Sequence, residues 1–540
     1  MRWHAFRENL IGYSMVFPAL AIIFLFGIFP IGFAFFVSLH RWRRFPGEYI
    51  GIDNYVRALG DFSYVLFFWF ALGALAGALL LANRFFRMRS ERLNGLLSLF
   101  PGTANAAAVT LLIFWVARVL PVILDIPQRI RGQERVTGVF IAELLASFQL
   151  PDVTSFFVVV LITSAIAVTT SVLFIHFSKK RVSALNALWR ATWLCLALVT
   201  GTLLLNFTLE EMLAAILAAR DASQELPLGI QVVFMTLGAV LLLAAYRLWT
   251  SANRQHSDQS FFWRVSASAC LIVAGYILFT QLPQLLTNAD RSMARGLGVT
   301  VMFALGTIPP QLAIGIVLAY LLFQNVRGKA FFRMVYFLPY VMPFAATSLV
   351  FSLLFSHRPE SPINRLLQAV GIPVQRWLLE PTGIFELLFG AQGLLAGPSL
   401  ALVVIIIYTA WIYIGYATVV FLAGLGNIPA ELSEAARIDG ASEWGIFRHI
   451  TLPLLSPTTF FLTLIAVIGT FQSFTQIWIM RTAGAADSVD TLGVYIFRTI
   501  RSTDPNMGYG SALSLVLFLI IIVLTLFQNR IFERRVFYLG

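Results

Sequence analysis

The chain has 540 residues, of which 59% are apolar or aromatic and only 12% are charged. Soluble globular domains contain about 45–50% apolar and about 25% charged residues, and a single core stops growing near about 250–300 residues. The mean hydropathy of +0.82 therefore excludes a disordered chain and a single soluble domain. This composition predicts an integral membrane protein with many spans.

The net charge of +12 comes from 38 Lys and Arg against 26 Asp and Glu. In a membrane protein this excess is typical of loops that stay in the cytoplasm, so we expect no nucleic-acid partner. Lys179, Lys180 and Lys329 are the only lysines, and none lies in the glycine pattern of a P-loop. If the protein uses ATP, another subunit must bind it. The two cysteines lie in apolar runs, which gives no indication of a metal site.

A helix of about 20 apolar residues crosses the hydrocarbon of a bilayer. Twelve segments reach this length, at 14–38, 62–83, 95–120, 153–177, 186–206, 227–248, 263–282, 296–323, 333–356, 398–424, 457–480 and 508–529. We therefore predict an all-α polytopic helix bundle with about 12 transmembrane helices.

The two chain ends set the predicted topology. Arg2 and Arg7 precede the first span, which has no cleavage site after it, so we expect an uncleaved anchor with the N-terminus in the cytoplasm. Twelve spans then return the C-terminus to the cytoplasm as well. In this topology the inside loops hold more cations than the outside loops, and all three lysines lie in inside loops. This distribution agrees with the positive-inside rule.

One predicted inside loop, residues 425–455, is net acidic where a short basic loop is expected. It predicts two short helices joined by Gly440, which can adopt the positive φ that ends a helix. We expect Asn427 and Pro429 to begin the first helix, Ser442 to cap the second and Pro453 to end it. The loop is interpreted as a docking element for a cytoplasmic partner. The alternative is an amphipathic helix on the lipid surface, which would carry Lys and Arg on its polar face.

The loop also contains a spaced motif, E-A-A-x3-G-x9-I-x-L-P, formed by Glu434, Ala435, Ala436, Gly440, Ile450, Leu452 and Pro453. This motif resembles the hallmark of permease subunits in binding-protein-dependent ABC importers. The flanking sequence is similar to the carbohydrate-type, maltose-permease-like branch of that family. The resemblance covers residues 1–60 and 290–540, about half of the chain.

The resemblance implies a type I ABC importer permease in the cytoplasmic (inner) membrane of a prokaryote. It implies a second permease subunit that completes the pore and an extracytoplasmic solute-binding protein that delivers a small carbohydrate. It also implies a dimer of ABC ATPase subunits that binds ATP and Mg²⁺, so this chain would bind no cofactor and have no catalytic residue. The motif in 425–455 would then couple the pore to the ATPase.

The resemblance divides the chain into three predicted regions. Residues 1–61 form an N-terminal transmembrane helix with an external segment, and residues 283–540 form the permease core. Between them, residues 62–282 form an inserted region of about six helices that the family does not require, and its role stays open. The acidic outer loop at 207–226 is either a solvated face or a docking patch for an external protein.

Polar and aromatic side chains within the core spans are candidates for the solute pathway. Gln472 and Gln476 are predicted to share a helical face beside Thr475, and their amides can donate to and accept from sugar hydroxyls. The alternative is hydrogen bonding between neighbouring helices. A second set of candidates could stack on a sugar ring or anchor the chain at the membrane interface: Tyr408, Trp411, Tyr413 and Tyr416.

Two other classes of protein remain as alternatives. A secondary transporter also fits twelve spans, but we find no similarity between the two halves of the chain. A membrane-embedded enzyme would need acids or histidines clustered at a span end, whereas the six histidines are scattered along the chain.

Overall fold

The computed structural model describes residues 2–87, 92–131, 137–178, 181–223, 227–253, 259–324 and 327–532. Within these ranges the regular structure is helical, and the extended pairings are two isolated bridges, His40 with Tyr49 and Gly383 with Ser399. The predicted all-α fold class is therefore confirmed. Lys179, Lys180, Glu225 and residues 533–540, which contribute to the predicted topology, lie outside the described residues.

The helices of the first half are α1 (Arg2–Ile23), α2 (Phe29–Ser38), α3 (Asp53–Leu59), α4 (Phe62–Arg87), α5 (Arg92–Leu124), α6 (Ile126–Arg129), α7 (Thr137–Phe148), α8 (Pro151–Phe177), α9 (Arg181–Asp221), α10 (Leu228–Ala252) and α11 (Gln259–Leu285). The helices of the second half are α12 (Arg291–Phe323), α13 (Lys329–Val341), α14 (Phe344–Leu354), α15 (Pro362–Ala369), α16 (Ile384–Phe389), α17 (Leu400–Gly426), α18 (Ala430–Ile438), α19 (Glu443–Ile446), α20 (Leu452–Leu454), α21 (Ser456–Phe471), α22 (Thr475–Met480), α23 (Ala486–Val489), α24 (Leu492–Arg501) and α25 (Met507–Phe532).

Ten helices among the described residues are long and apolar enough to cross a membrane, and there are 12 if each of two bent helix pairs counts as one span. Each of the twelve predicted segments coincides with one of these helices or pairs. The long apolar runs were therefore sufficient to find the spans, although two of the spans are bent.

The predicted span 333–356 is a bent pair, because α13 and α14 meet at an angle of 96°. The bend follows from Pro343, whose ring disfavours a helical conformation at the residue before it. Met342 is accordingly extended, with φ −72° and ψ 147°, and Pro343 starts the next helix as its N-cap. The predicted span is therefore present as two helices with a sharp bend between them, a feature that a count of apolar residues does not reveal.

The second bent pair joins the segment Glu443–Leu454 to α21 at an angle of 61°. At its other end α21 stops at Phe471, so the predicted span 457–480 is not one continuous helix either. The chain turns through Gln472–Phe474 and resumes as the short helix α22. Phe474 packs there against Phe497, with ring centroids 4.7 Å apart.

The chain divides into two compact units. The first comprises Met1–Asp290 with Asn506–Tyr509, and the second comprises residues 291–505 with 510–540. In the first unit α9 packs against both α4 and α5, α5 packs against α8, and α10 packs against α11. Small residues allow these close approaches: a Cβ on Gly102 would lie 2.8 Å from the Cβ of Ala191.

The first unit also contains residues 38–61, which are predicted to lie outside the membrane and are called the outer segment. Specific bonds hold this segment in place. The Asn54 amide donates to the carbonyl oxygens of Ser38 and His40. Arg57 lies 4.2 Å above the Tyr509 ring, and the Tyr509 hydroxyl donates to Asp290 at 2.6 Å. The 41 residues of α9 extend about 60 Å, well beyond the hydrocarbon thickness.

Because of this length, Glu211 near the end of α9 reaches the outer segment. Its carboxylate accepts a hydrogen bond from the backbone N–H of Ile52. Gly51 has a φ of +57°, and a Cβ there would lie 2.1 Å from a Glu211 carboxylate oxygen. Glu211, predicted to lie in the outer loop 207–226, is thus part of α9 and contacts the N-terminal segment of the same unit.

The core of the second unit lies where α12, α13, α17 and α22 meet. Side chains from three of these helices and α24 are fully buried in it: Phe303, Val404, Ile405, Tyr408, Ile477 and Val494. Gly415 allows α17 to touch α13, because a Cβ there would lie only 1.8 Å from the Tyr336 carbonyl oxygen. Near the start of α12 the Thr300 hydroxyl accepts a hydrogen bond from the backbone N–H of Leu492 at 3.0 Å.

Candidate functional site

The loop 425–455 forms two short helices, α18 and α19, on either side of Gly440, as the sequence predicts. Gly440 has a φ of +82°. Its N–H donates to the Arg437 carbonyl, and the N–H of Ala441 donates to the Ala436 carbonyl. These two bonds form a Schellman motif, in which the residue after the C-cap must be left-handed. The glycine of the spaced motif is therefore required by the backbone turn.

The start of α18 differs from the prediction. Asn427 is not its N-cap, because α17 extends to Gly426 and Asn427 closes that helix with its N–H on the Gly424 carbonyl. Pro429 is the N-cap of α18, with φ −58° and ψ 129°, and lies just outside the first turn. Asn427 thus lies at a helix C-terminus, a position that residue type alone does not distinguish from an N-terminus.

The second helix begins as predicted, since the Ser442 hydroxyl accepts a hydrogen bond from the Gly445 N–H at 3.2 Å. It does not end at Pro453, however. A π-helical turn, Phe447–Thr451, follows α19, and α20 carries the chain through Pro453 to Leu454. In an α-helix a proline ring clashes with the carbonyl four residues before it, whereas a π-turn bonds to the carbonyl five residues back and is wider. This difference allows the helix to continue through Pro453.

The surface of α18 is open, and none of its side chains is buried. In the spaced motif Glu434, Ala435, Gly440 and Leu452 are exposed, while Ala436, Ile450 and Pro453 are partly covered. Ile438 is 86% exposed at the tip of the loop, and Trp444 on α19 is 67% exposed. Ile438 lies outside the candidate membrane spans, and apolar surface exposed outside a span is compatible with an interaction site.

The two short helices are joined by an ion pair that the sequence did not reveal. Arg437 Nε donates to Glu443 Oε1 at 2.9 Å, and Nη2 donates to Oε2 at 3.3 Å. The hydrogen bond to Glu443 raises the pKa of Arg437, so the guanidinium stays charged. The two side chains line a cavity of about 530 Å³ together with Glu434, Ser433 and Tyr320.

Among the aromatic candidates for the solute pathway, Tyr408 is in the wrong place for stacking on a sugar. It is fully buried. Its hydroxyl lies 2.7 Å from the Thr347 hydroxyl, accepts from Ser348 at 3.0 Å and donates to the Phe344 carbonyl at 3.0 Å. Tyr408 therefore ties α17 to α14, because its spacing places it on the packed face of α17.

The other three aromatic candidates lie nearer the surface of α17. Tyr416 stacks on Tyr340 of α13, with centroids 4.9 Å apart, and Tyr413 contacts the same ring edge-on. Trp411 is exposed on one side and packs against Phe351. Tyr340, which sequence reasoning did not select, thus belongs to the same aromatic group.

The predicted shared face of Gln472 and Gln476 is wrong, because α21 ends before Gln472 and α22 begins at Thr475. Gln472 and Thr475 are exposed, whereas Gln476 is buried against the core. The i, i+4 relation requires a continuous helix, and the turn at Gln472–Phe474 removes it. Gln472 and Gln476 therefore do not form one amide face.

Sequence reasoning also missed a charged cluster in the loop after α22. Asp490 is nearly buried and accepts hydrogen bonds from Arg481 at 2.6 Å and from Arg498 at 2.5 Å. The guanidinium of Arg481 also lies 5.8 Å from the Trp478 ring. The three charges are too far apart in sequence for a helical repeat, so no local pattern could have found them.

This arrangement of helices long enough to cross a membrane, with an exposed two-helix loop, is that of a polytopic membrane protein. A profile of the family described as "Binding-protein-dependent transport system inner membrane component" matches residues 311–538. A lactose transport system permease protein of Rhizobium radiobacter is 34% identical over 232 residues, which cover 42% of this chain and 72% of the relative. An sn-glycerol-3-phosphate transport system permease protein of Agrobacterium fabrum is 34% identical over 253 residues, covering 46% and 79%.

The chain belongs to this family of inner-membrane components of binding-protein-dependent transport systems. The resemblance drawn from the spaced motif is confirmed, and the secondary transporter is disfavoured. A solved structure of a bacterial ABC transporter involved in alginate import covers 45% of this chain and 80% of that one, with 20% identity and a TM-score of 0.40. A score of that size adds nothing to the assignment.

Proposed function

We propose that this chain is the permease subunit of an ATP-driven importer for a sugar or oligosaccharide and forms half of its pore. Family membership supports the transport role. The names of the lactose and glycerol-3-phosphate relatives support a small hydroxylated solute. An extracytoplasmic binding protein delivers this solute, and a second permease subunit completes the pore.

The observation that carries the coupling role is the exposed helix α18 beside the Gly440 turn. A partner can approach it closely, because Ala435 is small and Ile438 protrudes. We infer that α18 binds a cytoplasmic ATPase subunit, which holds the ATP and Mg²⁺, and that this chain has no ATPase site of its own. Both chain termini and the loop 425–455 then lie in the cytoplasm.

The solute pathway is proposed to run past the aromatic group of Tyr413, Tyr416 and Trp411 and the turn at Gln472 and Thr475. These side chains keep some exposure in the second unit, whereas Tyr408 and Gln476 are packed and act on structure. The inserted region 62–282 is proposed to lie outside the pore-forming core, consistent with the family profile, which begins at residue 311.

The proposal is tested by purifying the tagged chain from cells that co-express the ATPase, second permease and binding protein of its transport system. We expect the chain alone to hydrolyse no ATP and the complex to hydrolyse it. Gly440→Pro and Glu434→Lys should each remove most of the co-purifying ATPase, because the first breaks the turn and the second reverses a charge on the docking helix.

Gly371 offers a matched control for the turn. Its φ is +80°, and a Cβ there would meet nothing within 4 Å. Its N–H and that of Ile372 make the same two backbone bonds as those of Gly440 and Ala441. In the predicted topology it lies on the other side of the membrane. Gly371→Pro and Glu386→Lys, on the exposed face of α16, should leave the ATPase bound. Solute uptake that continues without ATP, driven by an ion gradient, would contradict the proposed function.

A further inference from the structure

The helix α18 is held to the remainder of the second unit by few contacts. It has no buried side chain, and Gly440, at which it turns into the next segment, has open space around it. Among the described residues, the side-chain hydrogen bonds between α18 and α19 are the two from Arg437 to Glu443. Apart from them, the restraints on the turn are the two backbone bonds at Gly440, a residue type with wide conformational freedom.

By contrast, α19 is well anchored. Ile446 and Thr451 are buried, and Phe447 in the following turn packs against Tyr320 of α12 with ring centroids 4.8 Å apart. The helical path then continues through the π-turn and α20 into α21, which ends next to Gln472. The α19 side of the turn is therefore fixed to the core, and α18 is the part that can rotate.

The geometry of the Arg437–Glu443 ion pair is suited to fixing the angle between α18 and α19. Two parallel N–H···O bonds between a planar guanidinium and a planar carboxylate restrict both the distance and the relative orientation of the groups. The pair joins the last turn of α18 to the first residue of α19, across Gly440. It therefore restrains the rotation that the glycine permits.

We propose that Arg437 and Glu443 are positioning residues that hold α18 at a fixed angle to α19. This inference rests on the proposed function, in which the ATPase moves α18. A displacement of α18 then reaches α21 and the pathway instead of being lost as rotation about Gly440. The pair is 57% and 63% exposed, so it contributes little to overall stability, and its removal should leave the fold intact.

The test compares Glu443→Gln, Arg437→Lys and the swapped pair Arg437→Glu with Glu443→Arg in the reconstituted complex. Solute uptake and ATP hydrolysis are measured together. Each single variant should keep the ATPase bound but transport several-fold less solute per ATP, because Gln lacks the charge and Lys cannot form the two-point bond. The swapped pair should recover most of the transport. Arg41→Lys, in the similarly exposed Arg41–Glu48 pair, should transport normally.

A second measurement follows the angle directly in the purified chain. Spin labels at Ile438 and at Leu321 on α12, in a background without Cys195 and Cys270, report the position of α18. Glu443→Gln should broaden the distance distribution, and the swapped pair should narrow it again. Because these distances need no ATPase, they test the pair even if the chain proves to work without one.

Single variants with normal transport per ATP, or an unchanged distance distribution in Glu443→Gln, would overturn the positioning role. A swapped pair that transports as little solute per ATP as the single variants would also overturn the positioning role, because restoring the ion pair would then not restore transport.

Discussion

The Tyr408 hydroxyl shows how one polar atom can serve packing within a membrane span. It contacts the hydroxyls of Thr347 and Ser348 and the Phe344 carbonyl. An unpaired polar group is costly in such an environment, and pairing by neighbouring helices removes that cost. Aromatic residue type alone predicts a sugar contact or an interface anchor, but the three partners define a structural role.

We expect Tyr408→Phe to lower the stability of the protein by about 1 kcal/mol, the usual size of an interhelical hydrogen bond in a membrane. The measurement is the thermal midpoint in detergent, together with the solute concentration that gives half-maximal uptake. The midpoint should fall and the solute dependence should not change. Trp411→Ala is the comparison, since an exposed ring in the proposed pathway should alter the solute dependence more than the midpoint.

Residue-level prediction from sequence succeeded where the backbone dictates the residue. Gly440 and Ser442 were placed correctly, because a left-handed C′ position and an N-cap each require few residue types. It failed for Gln472 and Gln476, because α21 ends at Phe471 and the turn that follows has no proline or glycine to indicate it. Similarly, the Arg481–Asp490–Arg498 cluster depends on how the chain folds back, which no local spacing encodes.

At the scale of whole helices, α17 and α13 cross at a point with no room for a side chain. A Cβ on Gly415 would lie 1.8 Å from a backbone oxygen of Tyr336, which cannot move without shifting α13. This crossing also presents Tyr416 to Tyr340. The close approach is therefore a condition for the aromatic group of the proposed pathway.

Gly415→Ala should destabilise the protein by about 1–3 kcal/mol, as overpacking does in a filled interior. Gly469→Ala on α21 is the matched control, because nothing lies within 4 Å of its Cβ position. Alanine is the better helix former by about 1 kcal/mol, so that variant should be neutral or more stable. Thermal unfolding in detergent distinguishes the two, and equal midpoints would show that the helices can separate freely.

The outer segment 38–61 carries carboxylates that should make its stability depend on pH. Burial raises the pKa of Asp61, and it raises the pKa of Asp53 against the opposing effect of Arg41. A carboxyl whose pKa is higher in the folded state binds its proton more tightly there. Its contribution to stability is therefore present at low pH and is lost as the pH rises through the folded-state pKa.

We expect the backbone amides of residues 50–61 to open more readily at pH 7 than at pH 4.5, measured by hydrogen exchange after correction for intrinsic rates. The double variant Asp53→Asn with Asp61→Asn should remove most of this difference. Asp152→Asn, at an exposed carboxylate that begins α8, is the control and should preserve it. Equal protection at both pH values in the unmodified protein would contradict the assignment.

At the scale of helices, sequence prediction worked for length and failed for continuity. Each apolar run of about 20 residues corresponds to a spanning helix or a bent pair. The 96° bend at Met342–Pro343 has a local signal, since the residue before a proline avoids the helical conformation. Pro309 and Pro310 carry the same signal, yet α12 runs through them without a break. The local signal before a proline therefore does not decide by itself whether a helix breaks.

For the whole molecule, composition alone indicated the class of protein, and one spaced motif indicated the family. The rest of the chain was harder to interpret, because the inserted region has no motif with attached chemistry. In the structure, Glu211 of this region contacts Gly51 and Ile52 in the outer segment. The insert and the N-terminal residues therefore share one compact unit, and the division at residues 61 and 62 stays a prediction.

The exposure of Ile438 and Trp444 has a consequence for the life of the protein in the cell. A subunit made without its ATPase would leave both apolar side chains uncovered, and exposed apolar surface is an aggregation liability. In the proposed complex the same residues are covered. The chain should therefore aggregate more readily when it is made alone than when it is made with its partners.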